Sequence, residues 1–185
     1  MAEKMMIEIV KAPNPILSKK ANPVKKIDKS ILRLVSDMEE ALYAAKDPIG
    51  VGLAAPQVGK SLQLFITRPS LKSKTYVFIN PKITKKITGK KAKPQAKTKK
   101  LEGCLSLVNI WGDVGRYPEV FVSFQDEIGK LHKKKFTGFL STIVQHEIDH
   151  LNGILFPKRV LEQKGTLYKS EKDENGEDVF DELKI

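Results

Sequence analysis

Two histidines four residues apart constrain this chain more than any other feature. In His146-Glu147-Ile148-Asp149-His150, the imidazoles share a face only if the segment is an α-helix, where four residues make about one turn. On that face both rings can reach one metal ion, while Glu147 is offset by about 100° around the axis. The flanks agree with a helix from Gly138 to Leu151, since Thr137 stands where a cap belongs and Gly153 follows as a stop signal. The rest of the chain has to build a scaffold around that helix.

The scaffold reads as mixed. Ile31, Leu34, Val35, Met38, Leu42 and Ala45 repeat at helical spacing over Ser30 to Lys46, with Asp28 or Ser30 as cap and Pro48 as closure. Leu62 to Thr67, Tyr76 to Ile79, Glu119 to Gln125 and Leu131 to Phe136 are short, rich in β-branched and aromatic residues and bounded by turn residues, so they read as strands. The last two flank a turn containing Gly129 and suit a hairpin. Gly50 to Gly59 is too rich in glycine for a helix and reads as a shaped loop. These elements predict an α+β fold, with short, mostly antiparallel strands packed around a central metal-binding helix. One catalytic domain is expected over residues 1–165, followed by an acidic tail, 166–185, that is partly flexible.

Charge is divided unevenly along the chain. Lys82 to Lys100 holds nine lysines and no acid, whereas Ser170 to Ile185 holds seven acids against two lysines. The lysine stretch has no aromatic residue to stack on bases, so it reads first as a solvated loop, mobile at its tip. Its charge alone supplies a second reading, a weak contact with RNA or the ribosome. No apolar run reaches membrane-spanning length and no signal-peptide pattern opens the chain. A soluble cytoplasmic protein with no membrane contact is the expectation, a monomer by preference. Cys104, the only cysteine, excludes an intramolecular disulfide and is either packing or chemistry.

Two histidines do not complete a catalytic metal site, which usually has three protein ligands and an open position. In one zinc-peptidase pattern a third histidine falls six residues after the second, where this chain has Phe156. Glu162 and Glu171 stand in a segment with little helical pattern. Cys104 remains, in Leu101-Glu102-Gly103-Cys104-Leu105-Ser106-Leu107. Together with Gly50-Val51-Gly52-Leu53-Ala54-Ala55-Pro56-Gln57 and Gln145-His146-Glu147-Ile148-Asp149-His150-Leu151-Asn152-Gly153, that segment resembles the three signature segments of the peptide deformylases, in the same order.

The resemblance implies a hydrolase that removes the N-formyl group from the N-terminal methionine of nascent polypeptides and releases formate. It implies Cys104, His146 and His150 as ligands of one ion per chain, Fe2+ by preference, with Zn2+, Ni2+ or Co2+ accommodated by the same ligands. Glu147 is then the general acid and base, while the Gln57 amide and the Leu105 N–H are the donors to the developing oxyanion. Gly52 and Gly103 let peptide backbone approach closely. Val51, Phe139, Thr142 and Ile143 line the methionine pocket, and the last three share a helix face with His146. Glu102 and Arg116 look like the paired charges that brace the cysteine segment. The chain departs from the common pattern after Ser106, where Leu107-Val108-Asn109-Ile110-Trp111 replaces the usual valine or isoleucine followed by proline.

Two other classes are weighed against this. An RNA-binding module that has lost catalysis predicts a broken ligand set, yet Gln57, Cys104, His146, Glu147 and His150 are all present. A metallopeptidase would share metal and base, but a cysteine ligand discriminates against it.

Overall fold

The computed structural model describes residues 6–88 and 101–184. Two antiparallel sheets carry the architecture. The first has five strands in the order β1 (Gly52–Ala54), β2 (Leu64–Thr67), β3 (Tyr76–Ile87), β6 (Glu119–Gln125) and β7 (Leu131–Thr137). The second has four, in the order β4 (Glu102–Cys104), β5 (Leu107–Gly112), β8 (Leu167–Lys172) and β9 (Asp178–Glu182). Among the described residues three α-helices complete the fold, α1 (Lys29–Ala44), α2 (Gly138–Leu151) and the short α3 (Phe156–Glu162). None of the helices among the described residues is long and apolar enough to cross a membrane.

Strand alternation separates two apolar layers. On β2, Leu64 and Ile66 join a cluster with Met38 and Leu42 of α1, while Phe65 turns to the opposite face. There it meets Phe78, Phe124 and Phe136 together with Val144, Ile148 and Leu151 of α2. Because the central strands are covered on both faces, β2 reads as a continuous apolar run, whereas β6 buries only alternate residues, Val120, Val122 and Phe124. Phe78 is fully buried and stacks on Phe65 at 4.4 Å between ring centroids. Phe78→Ala should therefore lower the stability of the metal-loaded protein by about 3–5 kcal/mol, the usual cost of emptying an aromatic site in a core. Chemical denaturation measures it, and a loss within experimental error would show that this layer repacks freely.

Helix α1 starts where Asp28 accepts hydrogen bonds from the N–H groups of Ser30 (2.9 Å) and Ile31 (3.3 Å). Ser30 lies inside the helix and is not the cap. Helix α2 begins after Thr137 as expected, but the Thr137 side chain makes no capping bond.

Other segments depart from the sequence reading. The third strand runs on to Ile87 and carries Lys82, Lys85 and Lys86, so the lysine-rich stretch starts on a strand. Residues 89–100, where the rest of that stretch and its expected mobile tip fall, lie outside the described residues. The glycine-rich loop contains β1 and a 3-10 turn over Ala55–Val58. The segment read as an acidic tail forms the hairpin β8–β9, whose first strand pairs with β5. Its apolar content is low, but backbone pairing, the Lys172–Asp178 ion pair at 2.9 Å and an edge-on contact between Phe180 and Trp111 hold it to the sheet.

Candidate metal centre and active site

Helix α2 is buried on nearly every side, polar residues included: Gln145, Glu147, Asp149 and His150 are all inside. Such a helix survives only if each polar group has a use or a partner. Gln145 accepts from the Tyr117 N–H at 3.1 Å and donates to the Tyr117 carbonyl at 2.9 Å, which pins the chain before β6 against the helix. Asp149 receives two hydrogen bonds from Arg159, at 2.7 and 3.1 Å, and one from Arg116 at 2.6 Å.

The two imidazoles meet a thiol delivered by the other sheet. The register of β4 on β5 slips between Gly103 and Cys104, and such a bulge re-aims the side chain that follows it. Cys104, His146 and His150 each offer a ligand atom, all within 4.8 Å of one another. The Cys104 sulfur lies 3.2 Å from His150 Nε2, accepts the Ser106 N–H at 3.4 Å and faces the Gln57 amide at 3.5 Å. A cysteine binds metal as its thiolate.

Behind these groups stands a buried ionic network. Glu102 accepts Arg116 through both oxygens, at 2.8 and 2.9 Å, and contacts His146 Nδ1 at 3.1 Å. That contact orients the ring and leaves Nε2 free for a ligand role. Burial works against charge on Glu102, but Arg116 and His146 outweigh it and hold the carboxyl below its usual range. For His146, burial also opposes charge, yet bonds to Cys104 and Glu102 raise it well above the ordinary histidine value. His150 goes the other way, lowered well below by burial and then by the charges of His146 and Arg116. Burial pushes the Glu147 carboxyl up to about 7.

These residues fit a metal ion. A thiol and a carboxylate both converge on His146, two imidazoles complete the donor set, and Glu147 Oε2 and His150 Nδ1 are buried without a hydrogen-bond partner among the described residues. One thiolate with two imidazoles suits a borderline-soft divalent cation. Glu162 and Glu171, the other candidates for a third ligand, are engaged with Arg159 and Lys169 instead. Despite its weak pattern, the segment with Glu162 is helical, because Phe156 and Val160 anchor it against Gly112 of β5.

A cavity of about 460 Å³ opens onto this cluster. Its walls include Val51, Gly52, Gln57, Gly103, Cys104, Leu105, Phe139, Thr142, Ile143, His146 and Glu147, whereas His150 lies behind it. Ile143 is buried, but Phe139 is 52% exposed and stands at the rim rather than in the core. Gln57 is fully buried; its Oε1 accepts the Ala54 N–H at 2.9 Å and its Nε2 donates to Ser106 Oγ at 3.2 Å. That second bond orients the amide and was hidden from the sequence, as were Tyr117 and Pro118 in the cavity wall. No local pattern marks them. The Asp149–Arg159 pair carried a weak signal, a buried acid on the metal helix that needs a partner.

Gly52 is required by close approach. A Cβ there would collide with the Glu147 carboxylate and reach Ile143 Cγ2 at 3.0 Å. Gly52→Ala should leave the fold and metal content intact and displace the carboxylate, cutting turnover about 100-fold, as misplacement by about 1 Å does. Steady-state kinetics beside metal analysis checks this, and unchanged turnover would mean that Glu147 is free to move without cost.

Comparison with known proteins agrees with this geometry. The sequence profile of the family described as polypeptide deformylase matches residues 6–165. The peptide deformylase of Symbiobacterium thermophilum is 43% identical over 173 residues, 93% of this chain and 75% of that protein. The crystal structure of peptide deformylase from Thermotoga maritima superposes with a TM-score of 0.72 at 33% identity, covering 84% of this chain and 97% of that one. A peptide deformylase from Synechococcus elongatus, solved in complex with actinonin, gives 0.72 at 35% identity, covering 83% and 78%. With likeness on this scale and a Cys-His-His cluster able to hold a metal ion, the chain belongs to the polypeptide deformylase family and is a metal-dependent hydrolase of the N-formyl group.

Proposed function

We propose that Glu147 is the acid and base of this reaction, that Cys104, His146 and His150 hold its single metal ion, and that Gln57 and Leu105 bind the oxyanion. The observation that carries the proposal is the buried Cys-His-His cluster beside a buried carboxylate with one unpartnered oxygen. A bound divalent ion, Fe2+ by preference, supplies Lewis-acid activation of water and of the formyl carbonyl. Glu147 takes the proton of the attacking water and returns it to the amine as the formyl C–N bond breaks, which releases formate and a free N-terminus. Meanwhile the Gln57 amide and the Leu105 N–H donate to the formyl oxygen as it gains charge. Gly52 and Gly103 pair by backbone with the extended peptide, and Val51, Phe139, Thr142 and Ile143 enclose the methionine side chain.

The substrate is the N-formylmethionyl end of a nascent polypeptide, met in the cytoplasm by a monomer. Residues 1–165 act as the catalytic domain, a reading supported by the extent of the family match, with β8–β9 appended. The lysines of β3 and the stretch after it support only a weak, salt-sensitive contact with RNA. Freshly purified protein should release formate from formyl-Met-Ala-Ser and stop when a chelator strips the metal. Cleavage within unformylated peptides would favour a metallopeptidase, and no turnover with full metal would refute the reading.

A further inference from the structure

Three consecutive residues near the start of the described chain reach the segments that carry both oxyanion donors. The Val10 N–H donates to the Gln57 carbonyl at 2.7 Å, and the Ala12 N–H donates to the Ser106 carbonyl at 2.9 Å. Between them the Lys11 ammonium donates to the Leu105 carbonyl at 2.6 Å. This strap belongs to no helix or strand. From the inner side, Gln57 Nε2 donates to Ser106 Oγ at 3.2 Å. The Leu105 and Ser106 carbonyls are therefore held from outside by the strap, and the Ser106 hydroxyl from inside by the Gln57 amide. Lys11 also lines a second cavity, of about 580 Å³, which meets the first at Gly103, Cys104 and Leu105.

We propose that Lys11 is a positioning residue for deformylation: its hydrogen bond to the Leu105 carbonyl, on a strap tied to Gln57 and Ser106, keeps the Leu105 N–H and the Gln57 amide aimed at one point. The proposal rests on the reading of Gln57 and Leu105 as oxyanion donors. An oxyanion hole works because its donors are oriented before charge develops. Leu105 lies just beyond the β4 bulge, where regular pairing with β5 gives out, so the ladder alone does not set the two peptide planes that meet at its α-carbon, Cys104–Leu105 with the N–H and Leu105–Ser106 with the carbonyl. A charge-assisted bond to the carbonyl fixes the second of these planes, to which the N–H is linked through a single α-carbon, and such bonds are about twice as strong as neutral ones. Because Lys11 is exposed, its loss should cost little stability. The loss falls on the transition state, where the donors carry most charge, so kcat suffers and KM does not.

The test uses metal-loaded protein and formyl-Met-Ala-Ser, with Lys11→Met, Lys11→Arg, Gln57→Ala and the Lys11→Met/Gln57→Ala double variant. Lys11→Met should lower kcat about tenfold, short of the roughly 100- to 1,000-fold for removing a donor outright. KM should stay within about twofold, with unchanged metal content and melting temperature. Lys11→Arg should restore most of the rate, and the double variant should lose less than the product of the single losses, since both act on one group of donors. A wild-type kcat in Lys11→Met, or a change confined to KM, overturns the proposal. Full turnover in Gln57→Ala would remove the oxyanion reading and this proposal with it, whereas no turnover in the wild type would refute the deformylase mechanism itself.

Discussion

Glu147→Gln is expected to keep its metal and its fold while formate release falls by about 100- to 10,000-fold, the usual contribution of general acid–base catalysis. Glutamine fills the same volume, so the close approach to Gly52 survives. What disappears is the proton acceptor. The carboxyl is 3% exposed and burial pushes it up to about 7, within the range where a base can both take a proton and give it back near neutral pH. Among the described residues its Oε2 has no partner, which leaves that oxygen for water or substrate. Metal stoichiometry, product-peptide binding and turnover should be measured on one preparation of the variant. Near-normal turnover with full metal would exclude Glu147 as the base.

Cys104→Ala is expected to purify with little metal and to release formate only at background rate. Two imidazoles one helical turn apart form an incomplete site, and the thiolate is the one ligand that comes from outside α2. It is also the one sulfur ligand of the cluster, faced by the Ser106 N–H and the Gln57 amide. The cysteine packs with Phe156, Val160 and Leu167, so some stability is lost as well. Metal content and circular dichroism on the same sample separate the two effects. A folded variant with a normal complement of metal would show that another side chain completes the site.

The two variants divide the centre into its parts. One is expected to remove the proposed proton acceptor and leave the ion, whereas the other is expected to remove the ion and leave the carboxylate. Between them stands Glu102, which meets Arg116 and His146 at once. Replacing one member of such a network leaves a buried charge without its partner, which is why the network matters more for geometry than for net stability.

The metal helix was legible in the chain alone, because its signal is local: spacing of two histidines, apolar periodicity and a glycine stop all lie within 138–153. The β6–β7 hairpin was legible for the same reason, with its turn closed by Asp126 and Gly129. Strands β4 and β5 were not: the three residues of β4 with their bulge have no period to detect, and the other side of β5 pairs with β8, distant in sequence. The hairpin β8–β9 was read as a tail because its residues are polar; it is a strand pair through its ladder and ion pairs rather than through apolar burial. Residue types and order sufficed to pick out the candidate ligands, the proposed base and the family resemblance. Only the tertiary structure decided that the bulge after Gly103 brings the thiol to α2, that Ser106 orients Gln57, and that Lys11 reaches Leu105. Those are contacts between segments 46 to 94 residues apart in the chain, and a sequence encodes such contacts only through the fold that brings them together.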